Sequence, residues 1–204
     1  MSDHKISIST VFFDLGNVLV FVYIERFFKA FSGLTGLPLA ETMSLADSHE
    51  KTIDMFNRGL MGAEEFYETV TAGLNSVDFG SFKSAYTEIF DLNSFMLDFA
   101  RQVKQSSRIS IISNTDTLHY EYIGKQFDFL KLFESPITSF EAHAMKPEKK
   151  IYLTALETMH ENPENTLFID DKIENIEAAQ SLGMHGIHYT ENTSFMHQLD
   201  AYTF

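Results

Sequence analysis

The chain contains no cysteine, which excludes a disulfide framework, a thiolate nucleophile and any metal site built on sulfur. Long hydrophobic runs are missing too: the start, MSDHKISIST, has no signal-peptide core, and no stretch approaches the length needed to span a bilayer. Basic side chains are scarce, 15 against 29 acidic ones, for a formal charge of −14. That balance repels nucleic acid and anionic membrane over most of the surface, so neither is expected as a partner. A small phosphorylated substrate is not excluded, because a metal ion or a helix N-terminus outweighs the global field at contact distance. Internal repeats and low-complexity tracts are absent as well. The expectation is a soluble cytoplasmic protein, monomer or homodimer.

What is abundant is phenylalanine: 20 Phe beside 8 Tyr and no Trp. This predicts aromatic-rich packing and a greasy lid over a site. With 204 residues, 44% of them apolar, the chain has room for one sizeable core, or for a core carrying a smaller insertion. Four strand-like runs recur, ISTVFFD, RISIIS, a weaker SPITSF and NTLFID, with helical patterns such as FMLDFARQVKQ ahead of the second and EKKIYLTALETMH ahead of the fourth. That alternation builds βαβ units, so a doubly wound parallel α/β sheet is expected. From Phe21 to Leu92 the rhythm breaks into amphipathic helical stretches, including IERFFKAFSGLTG and AEEFYETVTAGLN, with no convincing strand between them. Roughly seventy such residues are far too many for an ordinary βα connection. Residues 21–92 are therefore expected to form a helical cap inserted after the first strand, and residues 1–20 and 93–204 an α/β core; the Phe-rich ERFFKAFSG reads as cap core.

Asp14 closes the apolar run Val11-Phe12-Phe13 and opens the turn Leu15-Gly16-Asn17. An apolar strand ending in an acid and a glycine displays one carboxylate at the carboxyl edge of a sheet, where open α/β folds keep their sites; a turn or N-cap aspartate is the plain alternative. Ile111-Ile112-Ser113-Asn114-Thr115 is a strand running into hydroxyl and amide groups ahead of a helix, which suits a phosphate, though Ser113 or Asn114 as a simple N-cap fits equally. Met145-Lys146-Pro147-Glu148 puts proline at a first helical position and Lys146 just ahead of the helix, where it can pair with an aspartate and a phosphate oxygen; otherwise it is a surface lysine. Phe168-Ile169-Asp170-Asp171 ends a strand in two adjacent acids. Such carboxylates repel each other unless a cation is present, and their hard oxygens suit Mg²⁺. Asn175, four residues on, either returns from the following helix to position a ligand or is a surface amide.

Taken in order, DLGNVLV, IISNT, MKPE and FIDDKIENI resemble the haloacid dehalogenase (HAD) superfamily of aspartate-nucleophile phosphatases and phosphotransferases, over nearly the whole chain. With NRG between them, they look like the bacterial group that includes glucose-1-phosphate phosphatase. The resemblance implies a Mg²⁺-dependent phosphatase acting on a small phosphorylated metabolite, such as a sugar phosphate, through an aspartyl phosphate. It casts Asp14 as nucleophile, Ser113 and Asn114 as the phosphate-binding pair and Lys146 as the charge-neutralising lysine. It casts Asp171 as the main magnesium ligand, Asp170 as an accessory one, the Gly16 carbonyl as a backbone ligand and Asn175 as support.

Two positions depart from that pattern. Most phosphatases of the superfamily carry a general acid two residues after the nucleophile, where this chain has Gly16. A glycine moves no proton, and such a catalyst is worth roughly two to four powers of ten in rate. The glucose-1-phosphate phosphatase group shares the glycine, which suits a leaving group that needs little help. Phe21 stands where that group often has an acid, which weakens the case for a sugar. His119, on the expected helix after Ser113, is a candidate proton source from the substrate side or a structural histidine. The other histidines show no metal-ligand spacing; His185 and His188 would face opposite sides of a strand. Two other functions remain open, a phosphate-binding or regulatory module that turns over little, and a metal-independent haloacid dehalogenase, which the Asp170-Asp171 pair argues against.

Overall fold

The computed structural model describes residues 5–74 and 77–204; His4, and Asn75 at the end of the AEEFYETVTAGLN run, lie outside them. The strands are β1 (Ile6–Ser7), β2 (Thr10–Phe13), β3 (Val20–Val22), β4 (Phe90–Leu92), β5 (Arg108–Ser113), β6 (Ile137–Thr138), β7 (Thr166–Asp170), β8 (His185–His188) and β9 (Tyr202–Thr203). Five form one parallel sheet in the order β6-β5-β2-β7-β8. The first long strand is thus central, and the chain builds outward on one side of it before crossing to the other. That is the doubly wound arrangement, with its switch point at the carboxyl end of β2.

Every residue of β2 and β7 is buried, as parallel strands covered on both faces require. Alternation divides their side chains between two layers. Val11, Phe13, Ile111 and Ile169 pack against α6 (Ser94–Val103) and Phe195 of α11 (Asn192–Leu199), whereas Phe12, Ile112 and Phe168 pack against α9 (Lys149–Met159) and α10 (Ile173–Gln180). A short helix α8 (Ser139–Ala142) follows β6, and α7 (Thr117–Gln126) follows β5.

The helices α1 (Ile24–Thr35), α2 (Leu39–Ser48), α3 (Glu50–Asn57), α4 (Ala63–Val70) and α5 (Phe79–Thr87) gather around their own aromatic cluster of Phe31, Phe56, Phe66, Phe82 and Tyr86. Phe56 and Phe66 stack at 4.3 Å between centroids. Six of the 20 phenylalanines belong to or pack on this cluster (Phe27 and Phe79 beside the four named), while more gather in the core on the α6 and α11 side of the sheet. One expectation needs correcting: this stretch is bracketed by strand, since β3 and β4 pair antiparallel, Phe21 opposite Asp91. Three-residue strands give too short an alternation for the period to show. Arg26 clamps this strand pair with two hydrogen bonds to Asp91, at 2.9 and 2.6 Å. No described helix is long and apolar enough to cross a membrane.

Candidate active site

The carboxyl ends of three adjacent strands converge. Asp14 follows β2, with its N–H bonded to the Ile169 carbonyl at 2.8 Å; Ser113 ends β5 and Asp170 ends β7. Lys146 reaches in from the loop before α9 and places its Nζ 2.7 Å from Asp14 Oδ1 and 2.7 Å from Asp170 Oδ2. Asp14 is buried, not displayed as the sequence suggested, because Lys146 covers it. The lysine is itself 5% exposed, so it is no surface lysine. Burial works against its charge, yet Asp14 and Asp170 outweigh burial and hold its pKa above the ordinary value.

Each carboxylate oxygen has a distinct situation. Asp14 Oδ1 accepts from Lys146 and from the Leu15 N–H at 2.6 Å, which leaves Oδ2 open. Asp170 is saturated: Oδ1 accepts from the Lys172 N–H at 2.8 Å and Asn175 Nδ2 at 2.9 Å, while Oδ2 takes Lys146. The carboxylate of Asp171, half-buried, accepts from Asn17 Nδ2 at 3.2 Å and from no other described residue. Ligand oxygens of the three acids lie within 4.8 Å of one another. Burial pushes the Asp14 carboxyl up to about 7; Lys146 opposes this, and Asp170 and Asp171 add to it. Three acids against one ammonium leave unbalanced negative charge, a donor set of hard oxygens that fits a small divalent cation.

Asn114 differs from expectation. Its Oδ1 accepts from the Lys146 N–H at 2.7 Å and its Nδ2 donates to the Lys146 carbonyl at 2.9 Å, so the amide grips the lysine's backbone. Held this way, Lys146 stays in a loop: the Lys146–Pro147 peptide is cis and α9 starts only at Lys149, so Pro147 is not at its first position. Neither Ser113 nor Asn114 caps α7; Asp116 does, accepting from the His119 N–H at 2.9 Å. The Ser113 hydroxyl, with no hydrogen-bond partner among the described residues, is left to line the cavity above the sheet. Asn175 is buried and holds Asp170.

Sequence reasoning missed three contributors. Asn17 takes a left-handed conformation, φ 56°, which aims its amide at Asp171 while its Oδ1 accepts from the Val22 N–H. Asparagine in a turn tolerates that region, so the signal was present in the turn itself. His188 Nε2 donates to the Asp171 carbonyl at 2.9 Å, a contact visible only once β8 lies beside β7. Ser139 joins Thr115 to the Asn57 carbonyl across three segments.

His119 is not a free proton source. Its Nδ1 lies 2.7 Å from Asp116 Oδ2 and its Nε2 2.9 Å from the Tyr86 carbonyl. Both partners accept only, so these contacts favour a ring protonated on both nitrogens. Burial opposes that charge, but Asp116 outweighs it and raises the pKa; in return Asp116, despite burial, is held below the usual carboxylate range. Tyr86 stacks on the ring at 4.2 Å and donates its hydroxyl to Asp116 at 2.9 Å. Phe21 is exposed and does not line the cavity.

Comparison with known proteins follows the same lines. A HAD family enzyme from Bacteroides thetaiotaomicron, solved in complex with magnesium and inorganic phosphate, superposes with a TM-score of 0.82 at 22% identity, covering 93% of this chain and 98% of its own. A HAD-like family hydrolase from Porphyromonas gingivalis gives 0.78 at 22% identity over 94% of this chain and 98% of its own. In sequence, the sesquiterpene phosphatase astK of Aspergillus oryzae is 24% identical over 188 residues, which cover 88% of this chain and 89% of that protein. The family model of haloacid dehalogenase-like hydrolases matches residues 8–183, and the chain belongs to that family.

Proposed function

We propose that this hydrolase is a Mg²⁺-dependent phosphatase that cleaves the phosphate monoester of a small metabolite through an aspartyl phosphate on Asp14. The observation that carries it is the pair of 2.7 Å contacts from Lys146 to Asp14 and Asp170, which fixes one oxygen of the nucleophile and leaves the other open. Support comes from the phosphatase named above and from the Bacteroides enzyme's complex with magnesium and phosphate. Residues 21–92 would be the cap, and 1–20 with 93–204 the catalytic core.

Asp14, Asp171 and the Gly16 carbonyl would hold the cation, with Asp170 accessory because its oxygens are already engaged. Bound there, magnesium supplies positive charge that offsets the phosphoryl oxygens. Asp14 Oδ2 attacks phosphorus and the ester P–O bond breaks, releasing an alkoxide that takes its proton from water, since Gly16 offers none. Water then attacks the phosphorus of the aspartyl phosphate, releases inorganic phosphate and restores the carboxylate. Lys146 and the Ser113 hydroxyl stabilise the equatorial oxygens throughout. Asn114 and Asn175 act through Lys146 and Asp170 as positioning residues.

A sugar phosphate is the substrate that the glucose-1-phosphate phosphatase resemblance implies, and it belongs in the test. Purified enzyme should hydrolyse members of a phosphate-ester panel with magnesium and stop when the metal is chelated. Asp14→Asn should lower kcat by more than about 10³-fold. Hydrolysis retained by that variant would refute the nucleophile, and chelator-insensitive turnover would favour a dehalogenase-type site.

A further inference from the structure

The site opens into a cavity of about 730 Å³, within the size range of pockets that enclose small organic ligands. One end is the chemistry: Leu15, Gly16, Ser113 and Asn114. The opposite walls, from β3, α1, α3, β4 and α7, are Val22, Phe27, Phe28, Ile53, Phe90 and Ile123. Among the described residues, no lysine or arginine lines it. The remaining basic group among the described lining residues is His119, with its ring nitrogens engaged by Asp116 and the Tyr86 carbonyl, and the Tyr86 hydroxyl donates to Asp116 as well. On the cap side that leaves the Asn57 amide and two exposed carboxylates, Asp47 and Glu50. The two carboxylates can accept from hydroxyls, but both are exposed and solvated; along Phe27, Phe28, Ile53 and Phe90 a sugar hydroxyl would meet no side-chain partner, and each hydroxyl buried without one weakens binding. Two carboxylates repel a second phosphate or an acid group on the substrate.

We infer that, given the phosphatase function proposed above, the substrate is a monophosphate of an apolar alcohol, its phosphate at Asp14 and its hydrocarbon chain along Phe27, Phe28, Ile53 and Phe90. The phosphate is recognised by charge at the sheet edge, and the rest of the molecule by removal of apolar surface from water. Affinity in such a pocket grows with chain length until the cavity is filled.

The test compares n-alkyl phosphates, ethyl to dodecyl, used below their micelle concentrations, with a glucose phosphate. kcat/KM should climb about fourfold per added methylene, the ~0.8 kcal/mol of a buried CH₂ converted at ~1.4 kcal/mol per tenfold, and then level off. Phe28→Asn, at a half-buried wall position, should cut the octyl-to-ethyl ratio severalfold. A flat series, a ratio untouched by that variant, or a glucose phosphate preferred over the octyl ester would overturn the inference while leaving the phosphatase function standing. Calorimetric binding of the matching alkylphosphonates, which cannot turn over, separates the two. Affinity that climbs per methylene when no ester is hydrolysed would reject the phosphatase function and keep the cavity's assignment.

Discussion

In the superfamily pattern that the first motif resembles, Gly16 stands where a general acid would do most. Its φ lies outside the left-handed region, and an added Cβ would meet only Val22 Cγ2, at 3.3 Å, a half-buried side chain able to yield a few tenths of an ångström. Gly16→Asp should therefore fold and should raise kcat on alkyl phosphates, whose leaving groups are poor, by up to roughly 10²–10⁴-fold. Nitrophenyl phosphate, whose leaving group needs no proton, should gain little; equal gains on both would show that the new carboxylate acts through the metal instead. A second residue-scale expectation concerns His119 and Asp116. The folded pKa of His119 is raised above the unfolded value of about 6.5, so its contribution to stability is fully present below that pH and is lost as pH rises through the folded pKa. Asp116, with its folded pKa lowered, contributes above an unfolded value of about 3.9 and loses that contribution as pH falls through the folded one. Urea unfolding at pH 6 and pH 9 should show the wild type losing more stability than His119→Gln across that interval; parallel losses would mean that the ring is not charged in the folded protein. The residues carrying the proposed chemistry were legible because each ends a strand or precedes a helix. What was not legible was the partner of each, since Asn114 gripping Lys146 and His119 facing Tyr86 join positions 32 and 33 residues apart.

The helix ends show where elements constrain one another. Asn57-Arg58-Gly59, the NRG seen in the sequence, closes α3 against α8: Arg58 bonds Glu148 at 2.6 Å and the Arg58 carbonyl accepts from His143 Nδ1 at 2.8 Å. Gly59 has φ 64°, and a Cβ there would lie 2.2 Å from the Phe140 carbonyl oxygen. Gly36, at the end of α1, has φ 74° with nothing within 4 Å of an added Cβ. Gly36→Ala should cost only the left-handed strain, about 1 kcal/mol. Gly59→Ala should cost that and the clash, about 2 kcal/mol or more. Equal costs in chemical denaturation would mean that α8 moves aside freely. Long parallel strands and amphipathic helices were readable from period alone, because burial on two faces or one stamps a pattern on the sequence. The β3–β4 pair was not, because three residues carry no period and the pairing spans the whole helical stretch.

At the scale of the whole molecule, the −14 charge opposes the reaction proposed for it. A phosphate monoester approaches a surface of its own sign, and in the proposed site Lys146 and a bound divalent cation would offset the three carboxylates at close range. Composition showed the global charge, but the place where a cation offsets it needed the fold, since Lys146 reaches Asp14 and Asp170 from a loop that belongs to neither strand. Raising ionic strength from about 0.01 M to 0.15 M shortens the screening length from about 30 Å to about 8 Å. The repulsion acts over the longer distance and the attraction over the shorter, so screening removes more of the former. At saturating magnesium, kcat/KM for a phosphate ester should therefore rise severalfold across that range, the inverse of the usual steering effect, and should do so equally in NaCl and KCl. A fall with added salt would mean that the cationic centre governs the approach from well outside the cleft, and that the acidic surface faces away from the substrate's path.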